Sequence, residues 1–146
     1  MTHTVTLDDF TGVWMLERVI QHEDGASARF SGRAVWQPDP KGLAYHETGE
    51  MVLETGARFL AERRYLWSVD LSVWFEDGRF FHTVPARGGQ TAHWCEPDQY
   101  DGHYDFADWP AFTVTWHVRG PRKDYRMETR YHRSGDFADA AAQALG

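Results

Sequence analysis

Phe112-Thr113-Val114-Thr115-Trp116-His117-Val118 and, beyond the Gly120-Pro121 turn, Lys123-Asp124-Tyr125-Arg126-Met127-Glu128-Thr129-Arg130-Tyr131-His132-Arg133 form the stretch whose alternation sets the fold. One set of alternate residues is Phe112, Val114, Trp116, Val118, Lys123, Tyr125, Met127, Thr129, Tyr131 and Arg133. The other is Thr113, Thr115, His117, Arg119, Arg122, Asp124, Arg126, Glu128, Arg130 and His132. A strict two-residue period marks half-buried antiparallel strands, with the polar set in water. The first set therefore faces inward, yet it ends in Lys, Thr, Tyr and Arg. Unpaired charge in a dry core costs several kcal/mol, so this face is expected to line a wet or ligand-filled cavity.

The rest of the chain follows the same rhythm. Leu7 to Phe10 reads as a short helical turn, and a long first strand is expected from Val13 to His22. Turn residues recur at Glu23-Asp24-Gly25, Pro38-Asp39-Pro40-Lys41-Gly42, Thr55-Gly56, Asp77-Gly78, Arg87-Gly88-Gly89, Trp109-Pro110 and Ser134-Gly135. Strand-like runs separate them, without an amphipathic helix between. The expected fold is all-β, a single up-and-down antiparallel barrel of about ten strands. The Ala-rich tail over residues 136–145 is expected to form a C-terminal helix.

Composition narrows the function. A length of 146 residues suits one domain. With 15 basic against 22 acidic residues, the net charge of -7 argues against nucleic acid and anionic membrane surfaces as partners. No basic leader followed by an apolar run opens the sequence, and no stretch approaches the ~20 apolar residues of a membrane span. The single cysteine, Cys95, has no partner for an internal disulfide, which fits a reducing, cytoplasmic location. Seven Trp, six Tyr and nine Phe exceed what a minimal core needs and suit stacked ligands. Outer strands bearing surface aromatics are compatible with a homodimer.

Hairpin registers show which polar residues share a face. A two-residue Asp77-Gly78 turn sets Phe75 opposite Phe80 and Val73 opposite His82, giving a face of Leu71, Val73, Phe75, Phe80, His82 and Val84. A four-residue loop from Ala86 to Gly89 would bring His93 opposite His82, with Cys95 on the same side; a five-residue loop would send both away. Around Thr55-Gly56, a three-residue loop is expected to pair Leu53 with Phe59, Gly49 with Arg63, Glu47 with Tyr65 and Tyr45 with Trp67, making Glu47 and Arg63 diagonal neighbours.

These registers assemble Tyr45, Glu47, Arg63, Tyr65, His82, His93, Tyr125, Tyr131 and Arg133 among Phe30, Trp36, Trp67, Trp116 and Met127. Cations outnumber the one carboxylate. A small amphipathic or carboxylate-bearing molecule is the expected ligand, with Arg63 and Arg133 as charge partners, Glu47 as neutralising or proton-handling group, and Tyr65, Tyr125, Tyr131 and His82 as directional contacts. The same parts would serve an enzyme that decarboxylates or cyclises a small acid through Glu47, Arg63 and Tyr65. A purely structural polar network is the third reading. His82, His93 and Cys95 are soft donors that could meet at zinc or haem iron, but their spacing matches no metal motif, and no cofactor is assigned.

With these residues in place, the chain resembles domain-of-unknown-function family 6314 and, more distantly, the lipocalin-like or calycin barrels. The resemblance runs through Phe10-Thr11-Gly12-Val13-Trp14 with Arg18, Tyr45-His46-Glu47-Thr48-Gly49, Arg63-Arg64-Tyr65-Leu66-Trp67 and Phe75-Glu76-Asp77-Gly78-Arg79-Phe80-Phe81-His82. It continues through His93-Trp94-Cys95 with Asp98 and Tyr100, and Gly120-Pro121-Arg122-Lys123-Asp124-Tyr125 leading to Tyr131 and Arg133. It implies a barrel and a set of residues, and no established reaction. Calycin-like barrels as a class bind small hydrophobic or amphipathic molecules; a few catalyse decarboxylation or cyclisation, or hold haem. Gly12-Val13-Trp14 looks like the barrel-closing Gly-x-Trp of lipocalins.

Overall fold

The computed structural model describes residues 4–133, so the helix expected over residues 136–145 lies outside the described part. A 3-10 turn at Leu7–Phe10 precedes ten strands: β1 (Gly12–His22), β2 (Ser27–Asp39), β3 (Gly42–Leu53), β4 (Arg58–Trp67), β5 (Ser72–Phe75), β6 (Phe80–Thr83), β7 (Gly89–Cys95), β8 (Asp98–Asp105), β9 (Phe112–Arg119) and β10 (Asp124–Arg133). All pair antiparallel in the order β6-β5-β4-β3-β2-β1-β10-β9-β8-β7, an up-and-down sheet curled until its two edges meet. Between β6 and β7 there is no backbone ladder. A Thr91 Oγ1 hydrogen bond to the Thr83 carbonyl, at 2.8 Å, spans that seam. Among the described residues no helix is long and apolar enough to cross a membrane.

The inward set of the C-terminal hairpin is as expected through Phe112, Val114, Val118, Met127, Thr129 and Tyr131, all buried. Its ends depart from the pattern. Lys123 falls outside β10 and pairs with Asp98 at 3.1 Å on the surface, because the turn carries it past the sheet.

One end of the barrel is closed by rings. The N-terminal turn delivers Phe10 into the lumen, fully buried, within 5.0–6.4 Å of Trp14, Trp36, Trp67, Phe106, Trp109 and Phe112. Mostly edge-on or tilted contacts of this kind suit the ring quadrupoles. Trp14 Nε1 donates to the Phe10 carbonyl at 2.8 Å, and the Arg133 guanidinium lies 4.0 Å from the Trp14 ring centroid while donating to the carbonyls of Thr11 and Asp9. Gly12, at φ +124°, leaves the room that Arg133 occupies.

Three sequence expectations shift. The Thr55-Gly56 loop has the three residues expected, but such a loop pairs Leu53 with Ala57, its N bonded to the Ala57 carbonyl, so Glu47 stands directly opposite Arg63 and Tyr45 opposite Tyr65. The displacement is two residues, and each side chain keeps its face. At Asp77-Gly78 the loop also takes three residues, with Phe75 N bonded to the Arg79 carbonyl. A bulge then restores Val73 opposite His82 while setting Phe80 opposite Trp74 on the outside. Phe80 is therefore half exposed, and Phe81 and His82 both reach the lumen although they are consecutive. At the seam, His93 lies beside Phe81 with ring centroids 5.2 Å apart, and both His93 and Cys95 take the lumen side.

Gly32 and Gly49 pair across β2 and β3 on the inner face, where the strands approach closely. A Cβ on Gly32 would stand 2.0 Å from the Thr48 carbonyl oxygen, and one on Gly49 would stand 2.3 Å from that of Ser31. Both obstacles are backbone, which yields little. Gly32→Ala is expected to destabilise the fold by roughly 1–3 kcal/mol, whereas Ser31→Ala on the exposed face stays within about 0.5 kcal/mol of the parent. Urea unfolding of the two variants checks this; equal stabilities would show that the strands part freely.

Candidate ligand cavity

The deepest charges in the lumen are a pair that sequence reading left unassigned on one side. Along β1 the inward residues are Trp14, Leu16, Arg18 and Ile20, so alternation carries Arg18 into the interior, where it is 5% exposed. Glu47 on β3, 1% exposed, faces it across β2, whose inward residues there are the small Gly32 and Ala34. Arg18 Nη1 and Nη2 donate to Glu47 Oε2 and Oε1 at 2.7 and 3.0 Å, and Arg18 Nε donates to Thr129 Oγ1 at 2.8 Å. Tyr45 donates to Glu47 Oε1 at 2.5 Å, and its oxygen lies 2.9 Å from the Tyr131 hydroxyl. Burial alone would raise the Glu47 carboxyl and lower the Arg18 guanidinium. Their fork-to-fork contact outweighs burial in both, leaving Glu47 below its ordinary value and Arg18 above. Burial pushes Tyr131 up to about 12 and Tyr45 upward too, so both phenols stay neutral.

Above this network a cavity of about 270 Å³ opens away from the closed end. Its wall includes Tyr45, Glu47, Arg63, Tyr65, Trp67, His82, His93, Trp116, Tyr125 and Tyr131, which the sequence had brought together, with Trp36 and Met127. Arg18, Phe75, Phe81, Tyr100 and Tyr104 also line it. For Arg18 the β1 alternation was the available signal; for Phe81 none existed, because a bulge breaks the period. Arg133, read as a second charge partner, stands outside the cavity. Its strand position keeps the inward parity but falls at the ring-packed end, where the guanidinium covers Trp14.

Arg63 is positioned differently from Arg18. Its Nε is 3.9 Å from Glu47 Oε2, too long for a hydrogen bond, and its side chain is 41% exposed at the mouth. Phe81 lies between Phe75 and Trp116, stacked on each at centroid distances of 4.6 and 5.3 Å. His82 Nε2 sits 2.8 Å from the Tyr104 hydroxyl. Burial, aided by the nearby His93, lowers His82 to about 3, so its ring is neutral at ordinary pH. Cys95 lies at the exposed rim, and among the described residues no three His, Cys, Asp or Glu side chains group as a metal site.

The chain belongs to a family of unknown function, DUF6314, whose family model matches residues 10–133. No curated protein matches it. Among solved structures it is similar to the S-type phycobiliprotein lyase CPES from Guillardia theta, at 8% identity and a TM-score of 0.57, covering 88% of this chain and 90% of that one. At such identity the likeness shows the barrel fold. A de novo designed fluorescence-activating β-barrel aligns over 88% of this chain and 96% of its own length, at 13% identity and a TM-score of 0.40.

Arg18→Met alone strands a buried carboxylate and is expected to cost about 3–5 kcal/mol. Arg18→Met combined with Glu47→Leu is expected to recover most of that loss, as chemical unfolding of the single and double variants will measure. A second effect comes from His82. Below about pH 6.5 the unfolded chain takes up a proton that the folded ring refuses until about pH 3, so folding loses stability as pH falls through that window. Between pH 7.5 and 5 this one residue is expected to remove roughly 2 kcal/mol. The wild-type loss should exceed that of His82→Phe by this amount; parallel pH profiles would show that His82 protonates freely in the fold.

Proposed function

We propose that the barrel binds a small amphipathic anion, holding its carboxylate at Arg63 and its apolar body against the aromatic wall. The observation that carries this reading is the charge balance. Arg18 already neutralises Glu47 through two short bonds, which leaves the Arg63 guanidinium as surplus positive charge at the mouth of the cavity. A carboxylate suits a guanidinium fork, and Tyr65 and Tyr125 stand beside it as further hydroxyl contacts. The volume of about 270 Å³ falls just below the ~300–1,000 Å³ typical of small-molecule pockets, which suits a small ligand. Phe75, Phe81 and Trp116 supply flat apolar surface for a planar or compact body.

Binding is favoured over turnover by the state of Glu47. Both of its oxygens are engaged by Arg18, one of them also by Tyr45, and its carboxyl is held ionised. A carboxylate so pinned is a poor proton carrier, because a general base works best when its proton affinity is matched to ambient pH.

Naphthoate and its uncharged amide, naphthamide, followed by calorimetry and tryptophan fluorescence, test the proposal. Naphthoate is expected to bind the wild type, and Arg63→Met to weaken it about tenfold while leaving naphthamide unchanged. Equal affinity of naphthoate for both proteins would remove Arg63 from the site.

A further inference from the structure

We infer that the buried half of the cavity is a hydrogen-bonding subsite for a neutral oxygen, so that the ligand carries a carbonyl or hydroxyl group at the end remote from its anion. This rests on the binding proposed above and adds the chemistry of the ligand's second end.

Two buried side-chain nitrogens among the described residues have no hydrogen-bond partner, Trp36 Nε1 and His82 Nδ1. The residues are 1% and 3% exposed, and both line the cavity. Native interiors seldom leave such atoms unmet, since each costs about 1–3 kcal/mol. Neighbouring groups do not serve them. The Tyr45 and Tyr131 rings pack on Trp36 at 4.6 and 5.7 Å, but their hydroxyls are engaged with each other and with Glu47. The Tyr104 hydroxyl is held at the opposite nitrogen of His82.

The kind of group follows from the donors. An indole N–H only donates, so Trp36 needs an acceptor. The free nitrogen of His82 donates or accepts according to its tautomer, and a hydroxyl or carbonyl satisfies it. A second carboxylate is disfavoured at this depth. Arg18 is committed to Glu47, and burial keeps Tyr45, Tyr104, Tyr131 and His82 neutral, so among the described residues lining this depth no cation remains to meet it. A plain fatty or aryl acid would leave both nitrogens unmet. A site built to bond an oxygen discriminates strongly against the analogue lacking it.

The test compares naphthoate with a set of hydroxynaphthoate positional isomers on the wild type, Trp36→Phe and His82→Phe, each checked for an intact melting transition. At least one isomer is expected to bind the wild type about tenfold more tightly than naphthoate, and that advantage, taken as the ratio of the two affinities within each protein, to shrink to about twofold or less in one or both variants. In the wild type, the Trp36 indole N–H resonance is expected to shift on adding that isomer and not on adding naphthoate, a readout that needs no variant. Naphthoate binding with no hydroxyl advantage and no indole shift overturns the subsite and leaves the Arg63 reading standing. An advantage that survives in both variants places the oxygen elsewhere and also overturns it. Failure of every probe to bind, naphthamide included, overturns the binding reading and the subsite with it.

Discussion

The Arg18–Glu47 pair is the constraint on which the interior depends. Moving either ion from water into a barrel lumen is costly, and the cost is offset only by close geometry and by further hydrogen bonds to the remaining donors and lone pairs. Thr129 and Tyr45 supply those bonds, and Tyr131 extends the chain through Tyr45. The pair ties β1 to β3 across β2, and Thr129 ties it to β10, so one ion pair fixes the relative positions of four neighbouring strands. It also sets the electrostatics of everything above it. With the carboxylate matched, the lower cavity is neutral and the uncompensated charge lies at the mouth.

The barrel has two chemically different ends. At one, the N-terminal turn inserts Phe10, fully buried, among tryptophans and phenylalanines. At the other, polar and aromatic side chains share the wall and the interior stays open. The seam between β6 and β7 runs alongside this open region, and the Phe81 bulge fills it from within. By turning two consecutive residues inward, the bulge places an apolar ring and a buried imidazole next to each other. Bulges that re-aim side chains are common at barrel rims and functional sites.

Lumen polarity need not mean that all polar residues have one role. Glu47, Arg18, Tyr45 and Tyr131 hydrogen-bond one another. Arg63 has a longer, weaker contact with Glu47 and faces the opening. Trp36 and His82 each retain an unmet ring nitrogen. This division separates residues that build the cavity from those whose hydrogen-bonding capacity remains available to a ligand.

The two-residue period of Phe112–Arg119 and Asp124–Arg133, together with the turn residues, determined an antiparallel barrel and which face of most strands looks inward. A period survives register errors of two, so the misplaced Glu47 and Arg63 pairing still put both on the correct side. The family resemblance and most of the cavity wall were legible for the same reason. Three things were not. The interior place of Arg18 is not legible because a lone charge in an apolar alternation signals burial only if a partner exists, and Glu47 lies 29 residues away in sequence. Arg133 has inward parity, but parity carries no information on depth, and only the inserted Phe10 shows that this end is closed. Phe81 points inward through a bulge, a backbone event set by the geometry of two strands and their turn. Periodicity is local and therefore written in the sequence; which charge meets which, and at what depth, is decided when strands far apart in the chain close around one interior.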